Sequence, residues 1–65
     1  MKFKNIQEVL NYLEESQYNV VYDNDGNYFR CNSLIYKIEY WSFDYKLIKY
    51  ISYNDFLKFD INIIK

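Results

Sequence analysis

From Leu34 to Ile51 the chain reads LIYKIEYWSFDYKLIKYI, eighteen residues with neither glycine nor proline and with the only tryptophan. β-Branched and aromatic side chains dominate it, and these suit a pleated, half-buried surface. Leu34, Tyr36, Ile38 and Tyr40 are all apolar or aromatic, and they alternate with the mixed set Ile35, Lys37, Glu39 and Trp41. Period-two alternation predicts one buried and one partly wet face. A helical reading, with Leu34, Ile35, Ile38 and Trp41 on one stripe, is weaker because such side chains lose rotamer freedom in a helix. The stretch is therefore expected to be two long antiparallel strands. Register follows from charge. A three-residue loop, Ser42 to Asp44, sets Lys37 against Lys49, and opposed like charges destabilise. Pairing Tyr40 with Leu47 and Tyr36 with Ile51 avoids this and leaves Ser42-Phe43-Asp44-Tyr45 as the loop. It also puts Lys46 opposite Trp41, a cation–π contact worth about 0.5–1 kcal/mol.

The remaining segments are expected to build on this hairpin. Asn5 with Glu8 three residues later marks a helix start, and Ile6, Val9, Leu10 and Leu13 form an apolar stripe over residues 5–16. Adjacent Glu14 and Glu15 diverge by about 100° on a helix, so they read as a solvated face and not as an acid/base pair. Residues 18–31 read as a second hairpin turning at Asp25-Gly26, the only glycine. A two-residue loop sets Tyr22 against Phe29 and Val20 against Cys31. A three-residue loop with a bulge at Gly26 sets Val21 against Phe29 instead. The two-residue form is the preferred reading. Asn32-Ser33 breaks the two hairpins apart. Ser52-Tyr53-Asn54-Asp55 is a second cap signal and predicts one or two helical turns. The tail, with Ile61 and Ile63 in alternation, reads as a short edge strand. The fold class expected is α+β over residues 1–65 as one domain. A helix packs on a four-stranded, mainly antiparallel sheet of two hairpins, followed by a short helical turn.

Function is argued by exclusion. There is no histidine and a single cysteine, Cys31, so Ser-His-Asp and Cys-His arrangements and a His/Cys metal site lack their groups. Cys31 has no second cysteine to pair with and reads as a small buried residue. One glycine excludes a Gly-rich phosphate loop. Asp23 to Asn27 resembles a calcium loop only in composition, since its twelfth position is Leu34 where a bidentate Glu is needed. No cofactor is expected, and the chain reads as a non-enzyme. Net charge is −1 and stays near neutral segment by segment, so no basic stripe points to DNA and no acidic carpet to a DNA mimic. The N-terminus lacks a signal-type apolar region and no run approaches a membrane span, which predicts a soluble, cytoplasmic protein.

Nine Tyr, five Phe and one Trp in 65 residues exceed what so small a core hides. Tyrosine and tryptophan are typical of binding surfaces. Thirty-eight residues are of types with A/T-rich codons (Phe, Tyr, Met, Ile, Asn, Lys), against two with G/C-rich codons. An A/T-rich gene and a tiny chain suit a phage or mobile-element protein. The functional expectation is a protein-binding inhibitor of a host enzyme or defence system, of anti-CRISPR or anti-restriction type. A regulatory or toxin–antitoxin partner protein and a single-stranded nucleic-acid binder are the alternatives. The expected surface is Trp41, Phe43, Tyr45 and Lys46 from the central hairpin, with Tyr28 and Arg30 from the first. Sheet edges with few blocking charges also suggest a homodimer.

Overall fold

The computed structural model describes residues 2–65. Helix α1 (Ile6–Glu15) leads into strands β1 (Val20–Tyr22), β2 (Tyr28–Asn32), β3 (Lys37–Trp41) and β4 (Leu47–Ser52). Helix α2 (Tyr53–Phe56) and a 3-10 turn (Ile61–Ile63) follow. The strands form one antiparallel sheet in chain order, β1-β2-β3-β4. The α+β class and the helix-on-sheet layering expected from the sequence are present.

The helix forms where its local signals lie. Asn5 accepts a hydrogen bond from the Glu8 amide at 3.0 Å, and the Glu8 carboxylate accepts from the Lys4 amide at 2.7 Å. Donors at the helix start that lack a partner within the helix are thus satisfied by side chains. Val9, Leu10 and Leu13 are buried. They meet Val21, Phe29, Cys31, Ile38, Ile51 and Phe56 in the core, with Ile6 partly buried against it. Phe56 is fully buried and sets its ring 5.4 Å from Phe29 and 5.5 Å from Phe59. Its position follows from the second cap, where Ser52 accepts from the Asp55 amide at 3.1 Å and turns the chain from β4 back over the core.

The first hairpin takes the register that was not preferred. Val21 pairs with Phe29 and Tyr22 with Tyr28. Tyr22 therefore does not face Phe29, nor Val20 Cys31. The cause is the turn. Asp23 and Asn27 are bonded across a three-residue loop (Asp23 N to Asn27 O, 2.8 Å), and Gly26 takes a φ of 84°. The Asp23 carboxylate accepts from the amides of Asp25 and Asn27 at 2.9 and 3.0 Å and from the Tyr40 hydroxyl. Those three bonds satisfy a buried carboxylate, and a two-residue loop would forfeit them.

The central stretch is also corrected. Its first strand begins at Lys37, not Leu34. Leu34, Ile35 and Tyr36 lie with Ser33 in an exposed turn, with Tyr36 at φ 55°. On the far side Tyr40 pairs with Lys49, Ile38 with Ile51 and Lys37 with Ser52. The expected pairs Tyr40–Leu47, Tyr36–Ile51 and Trp41–Lys46 do not form. Trp41 pairs with Leu47, and a bulge between Tyr40 and Trp41 takes up the extra residue of β4. The turn is again a three-residue loop, with Ser42 N bonded to Lys46 O at 2.9 Å and Tyr45 N to Ser42 O at 3.0 Å. The expected clash of Lys37 with Lys49 does not arise, because the loop is Phe43-Asp44-Tyr45 and not Ser42-Phe43-Asp44. This turn already carries Lys49 past Lys37, and the bulge then sets it against Tyr40.

The tail is a 3-10 turn and not a strand. It still reaches the sheet: Ile64 forms a single bridge to Asp23, and the Lys65 amide donates to Tyr22 O at 2.9 Å.

Candidate protein-binding surface

Cross-strand partners lie on the same side of a sheet. The register therefore sorts the side chains. Val21, Phe29, Tyr40, Cys31, Ile38 and Ile51 lie on the helix side. The other side carries two rows across all four strands. One is Tyr22-Tyr28-Trp41-Leu47 and the other is Val20-Arg30-Glu39-Tyr50. Both helices pack on the core side, and this second face has no covering element among the described residues.

The first row is held by ring contacts. Tyr28 and Trp41 stack at 6.2 Å with planes 5° apart, Tyr22 tilts on Tyr28 at 6.0 Å, and Tyr45 meets Tyr28 edge-on at 6.5 Å. All three separations fall in the range of attractive aromatic pairs. Tyr28 and Trp41 are half-buried, while Tyr22, Tyr45, Leu47 and Tyr50 are exposed.

Beneath the aromatics, Glu39 is only 7% exposed. Its Oε1 accepts from Trp41 Nε1 at 2.9 Å and lies 3.3 Å from Arg30 Nε, and its Oε2 accepts from Asn32 Nδ2 at 2.9 Å. Arg30 Nε is itself buried and makes no aligned hydrogen bond, so charge alone holds that contact. A buried carboxylate with three partners is costly to disturb. It holds the Trp41 and Arg30 side chains in place within the free chain.

Of the six residues expected to form the surface, Tyr28, Arg30, Trp41 and Tyr45 come together here. Phe43 is at the tip of the β3–β4 turn, 72% exposed, beyond the rows. Lys46 is not on the Trp41 indole. It stands at the turn 4.0 Å from Asp44, with both side chains largely in water. Tyr22, Leu47, Tyr50 and Glu39 belong to the face and were not anticipated. The wrong turn length had set Tyr22 opposite Phe29; Leu47 becomes a neighbour of Trp41 through the three-residue turn, and Tyr50 of Glu39 through the bulge.

Tyr45 carries a further feature. Its φ is 66°, at the turn position that Gly26 fills with φ 84° in the β1–β2 hairpin. The two turns share their backbone bonds, and Ser42 Oγ accepts from the Lys46 amide at 3.2 Å where Asp23 accepts from Asn27. A bulky residue in the left-handed region is strained by about 1–2 kcal/mol. The chain thus holds an exposed tyrosine where glycine relaxes the same turn.

On the core side, two hydroxyls are perturbed. Burial, then the bond to Asp23, pushes the Tyr40 phenol above its ordinary value. Burial, then the 3.0 Å contact with Cys31 Sγ, does the same to Tyr53. Both groups lie away from the open face and keep their protons at neutral pH.

Comparison with protein-family models, with curated proteins and with solved structures finds no match to this chain. No helix among the described residues is long and apolar enough to cross a membrane.

Proposed function

We propose that this chain acts by binding another protein through the open face of its sheet. The observation that carries this reading is the row Tyr22-Tyr28-Trp41-Leu47, flanked by Tyr45 and Tyr50 and left uncovered. Trp, Tyr and Arg dominate the residues that carry binding energy, and they do so best in a rigid, water-excluding cluster. Arg30 and Trp41 are held by Glu39, and Tyr28 is held by stacking, so little side-chain entropy remains to be lost on binding. The strained Tyr45 supports the same reading, because non-glycine residues kept at unfavourable φ cluster at functional positions.

The partner class proposed is a host enzyme or defence complex, with the chain as a phage or mobile-element inhibitor. That choice rests on the A/T-rich residue usage. The test is affinity capture from host lysate, with and without nuclease, using the wild type beside Tyr28→Ala and Phe43→Ala. A stoichiometric protein partner recovered regardless of nuclease, and weakened by more than about 1 kcal/mol in Tyr28→Ala, is the expected result. Phe43→Ala tests how far the interface extends to the turn tip. Recovery that depends on nuclease-sensitive material favours a single-stranded nucleic-acid binder instead. Capture of the same protein at wild-type strength by Tyr28→Ala overturns the placement.

A further inference from the structure

The two edges of the sheet are treated differently. The β1 edge is closed by the chain's own tail, through the Asp23–Ile64 bridge, the Lys65 amide on Tyr22 O and the Asn24 amide on Ile63 O. β4 hydrogen-bonds to β3 alone among the described residues, although it is the longest strand. Leu47, Ile48, Lys49 and Tyr50 are all exposed along it. Past the bulge, Lys49 to Ser52 runs in regular register with β3, so its outer backbone groups are spaced as a strand partner needs.

Charge selects the occupant. The segment Lys46–Ser52 contains two lysines and no acid, and Lys37 stands on the neighbouring strand. Lys37 and Lys49 make no ion pair among the described residues, and Lys46 meets Asp44 only at 4.0 Å between exposed side chains. Asp44 apart, the exposed acids lie elsewhere: Glu14 and Glu15 on α1, Asp25 in the β1–β2 turn, and Asp55 and Asp60 near α2 and the 3-10 turn. A neutral or basic strand laid on β4 leaves these cations unmatched or repelled. A second copy brings its own Lys46 and Lys49 to the same edge. An extended acidic segment satisfies both the backbone and the charge.

We infer that β4 is a strand-addition site for an acidic, extended segment of a protein partner, read by backbone pairing along Lys49–Ser52 and by Lys46 and Lys49. This rests on the protein-binding reading and names a second element of contact beside the aromatic face.

The test uses the full chain and an end-blocked, fluorescein-labelled octapeptide alternating glutamate and valine. Its controls are the lysine-for-glutamate peptide and a backbone N-methylated copy of the acidic one. Affinities come from fluorescence anisotropy, and the site from amide shifts of isotope-labelled protein. The acidic peptide is expected to bind about tenfold more tightly than the lysine peptide at low salt, and less so as salt screens the charges. N-methylation abolishes binding, the shifts centre on Leu47–Ser52, and K46E/K49E reverses the charge preference. Equal affinity for both peptides, shifts confined to the Tyr28–Trp41 face, or no binding at all overturns the inference. So does a concentration-dependent dimer by light scattering that protects the β4 amides, since a second copy would then be the occupant. The lysate capture with Tyr28→Ala reads the aromatic face independently, so either conclusion can fail alone.

Discussion

Replacing Tyr45 by glycine separates what a residue does for the fold from what it does for a partner. At φ 66° the tyrosine sits in the left-handed region, at a cost to an L-residue of about 1–2 kcal/mol. Glycine removes that cost. Two terms oppose the gain. Glycine is freer in the unfolded chain by about 0.5–1 kcal/mol. The edge contact of Tyr45 with Tyr28 is also lost, and with Tyr45 78% exposed it is worth no more than about 0.5 kcal/mol. The net change lies between about −0.5 and +1.5 kcal/mol and centres on a stabilisation of about 0.5 kcal/mol, which for a chain this short raises Tm by about 2–4 °C. The β1–β2 turn supplies the reference. A Cβ at Gly26 would meet nothing within 4 Å, so Gly26→Ala reports the conformational cost without a clash and is expected to lose about 1–2 kcal/mol. Urea unfolding followed by tryptophan fluorescence measures both, with m unchanged if only the native turn is affected. Partner affinity should fall in Tyr45→Gly while stability holds or rises. A loss of more than about 1 kcal/mol in Tyr45→Gly would refute the reasoning, since the side chain would then contribute to the fold far more than its exposure allows.

Leu10→Ala should cost about 2–5 kcal/mol in thermal or urea unfolding, which can be the whole stability of a domain this small; an unchanged Tm means the α1 stripe is not buried. Trp41→Phe keeps an aromatic ring over Tyr28 but removes a hydrogen bond to the buried Glu39 carboxylate. It should destabilise by about 1.5–3 kcal/mol in the same assay, and a neutral result means that Glu39 is held by Arg30 and Asn32 alone. Tyr40 and Tyr53 have phenols raised above the ordinary 10.0 in the native state. Their contribution is therefore full below that value and is lost as pH rises through the native-state values. Stability should fall in strongly alkaline solution, and Tyr53→Phe should flatten the fall in a pH series of melting curves. An identical alkaline profile in the variant would exclude Tyr53 as a contributor.

Elements with local causes were legible in the sequence. Asn5 and Ser52 cap because their side-chain oxygens reach amides three residues on, and Ile6, Val9, Leu10 and Leu13 share a face because a helix repeats every 3.6 residues. Alternation likewise put Ile38 and Tyr40 on one side and Glu39 and Trp41 on the other. Registers were not legible, because a side-chain period of two makes a one-residue slip exchange the faces. The slip was decided by Asp23, whose carboxylate fixes a three-residue turn, and in the second hairpin by the turn Phe43-Asp44-Tyr45 with a bulge beyond it that sets Lys49 against Tyr40. Tyr22 thereby left the expected pairing with Phe29 and joined Tyr28, Trp41 and Leu47. Glu39 became the buried anchor of Trp41 and Arg30 because strand pairing, not chain proximity, brings Asn32 and Arg30 to its side. The sequence determined the two helices, the centres of the four strands and that aromatic surface would be left over, but not the turn at Leu34, Ile35 and Tyr36 or the 3-10 tail, both of which read as strand. The tertiary structure decided which aromatics form one face and which edge stays open, since pairing across strands depends on contacts between residues distant in the chain.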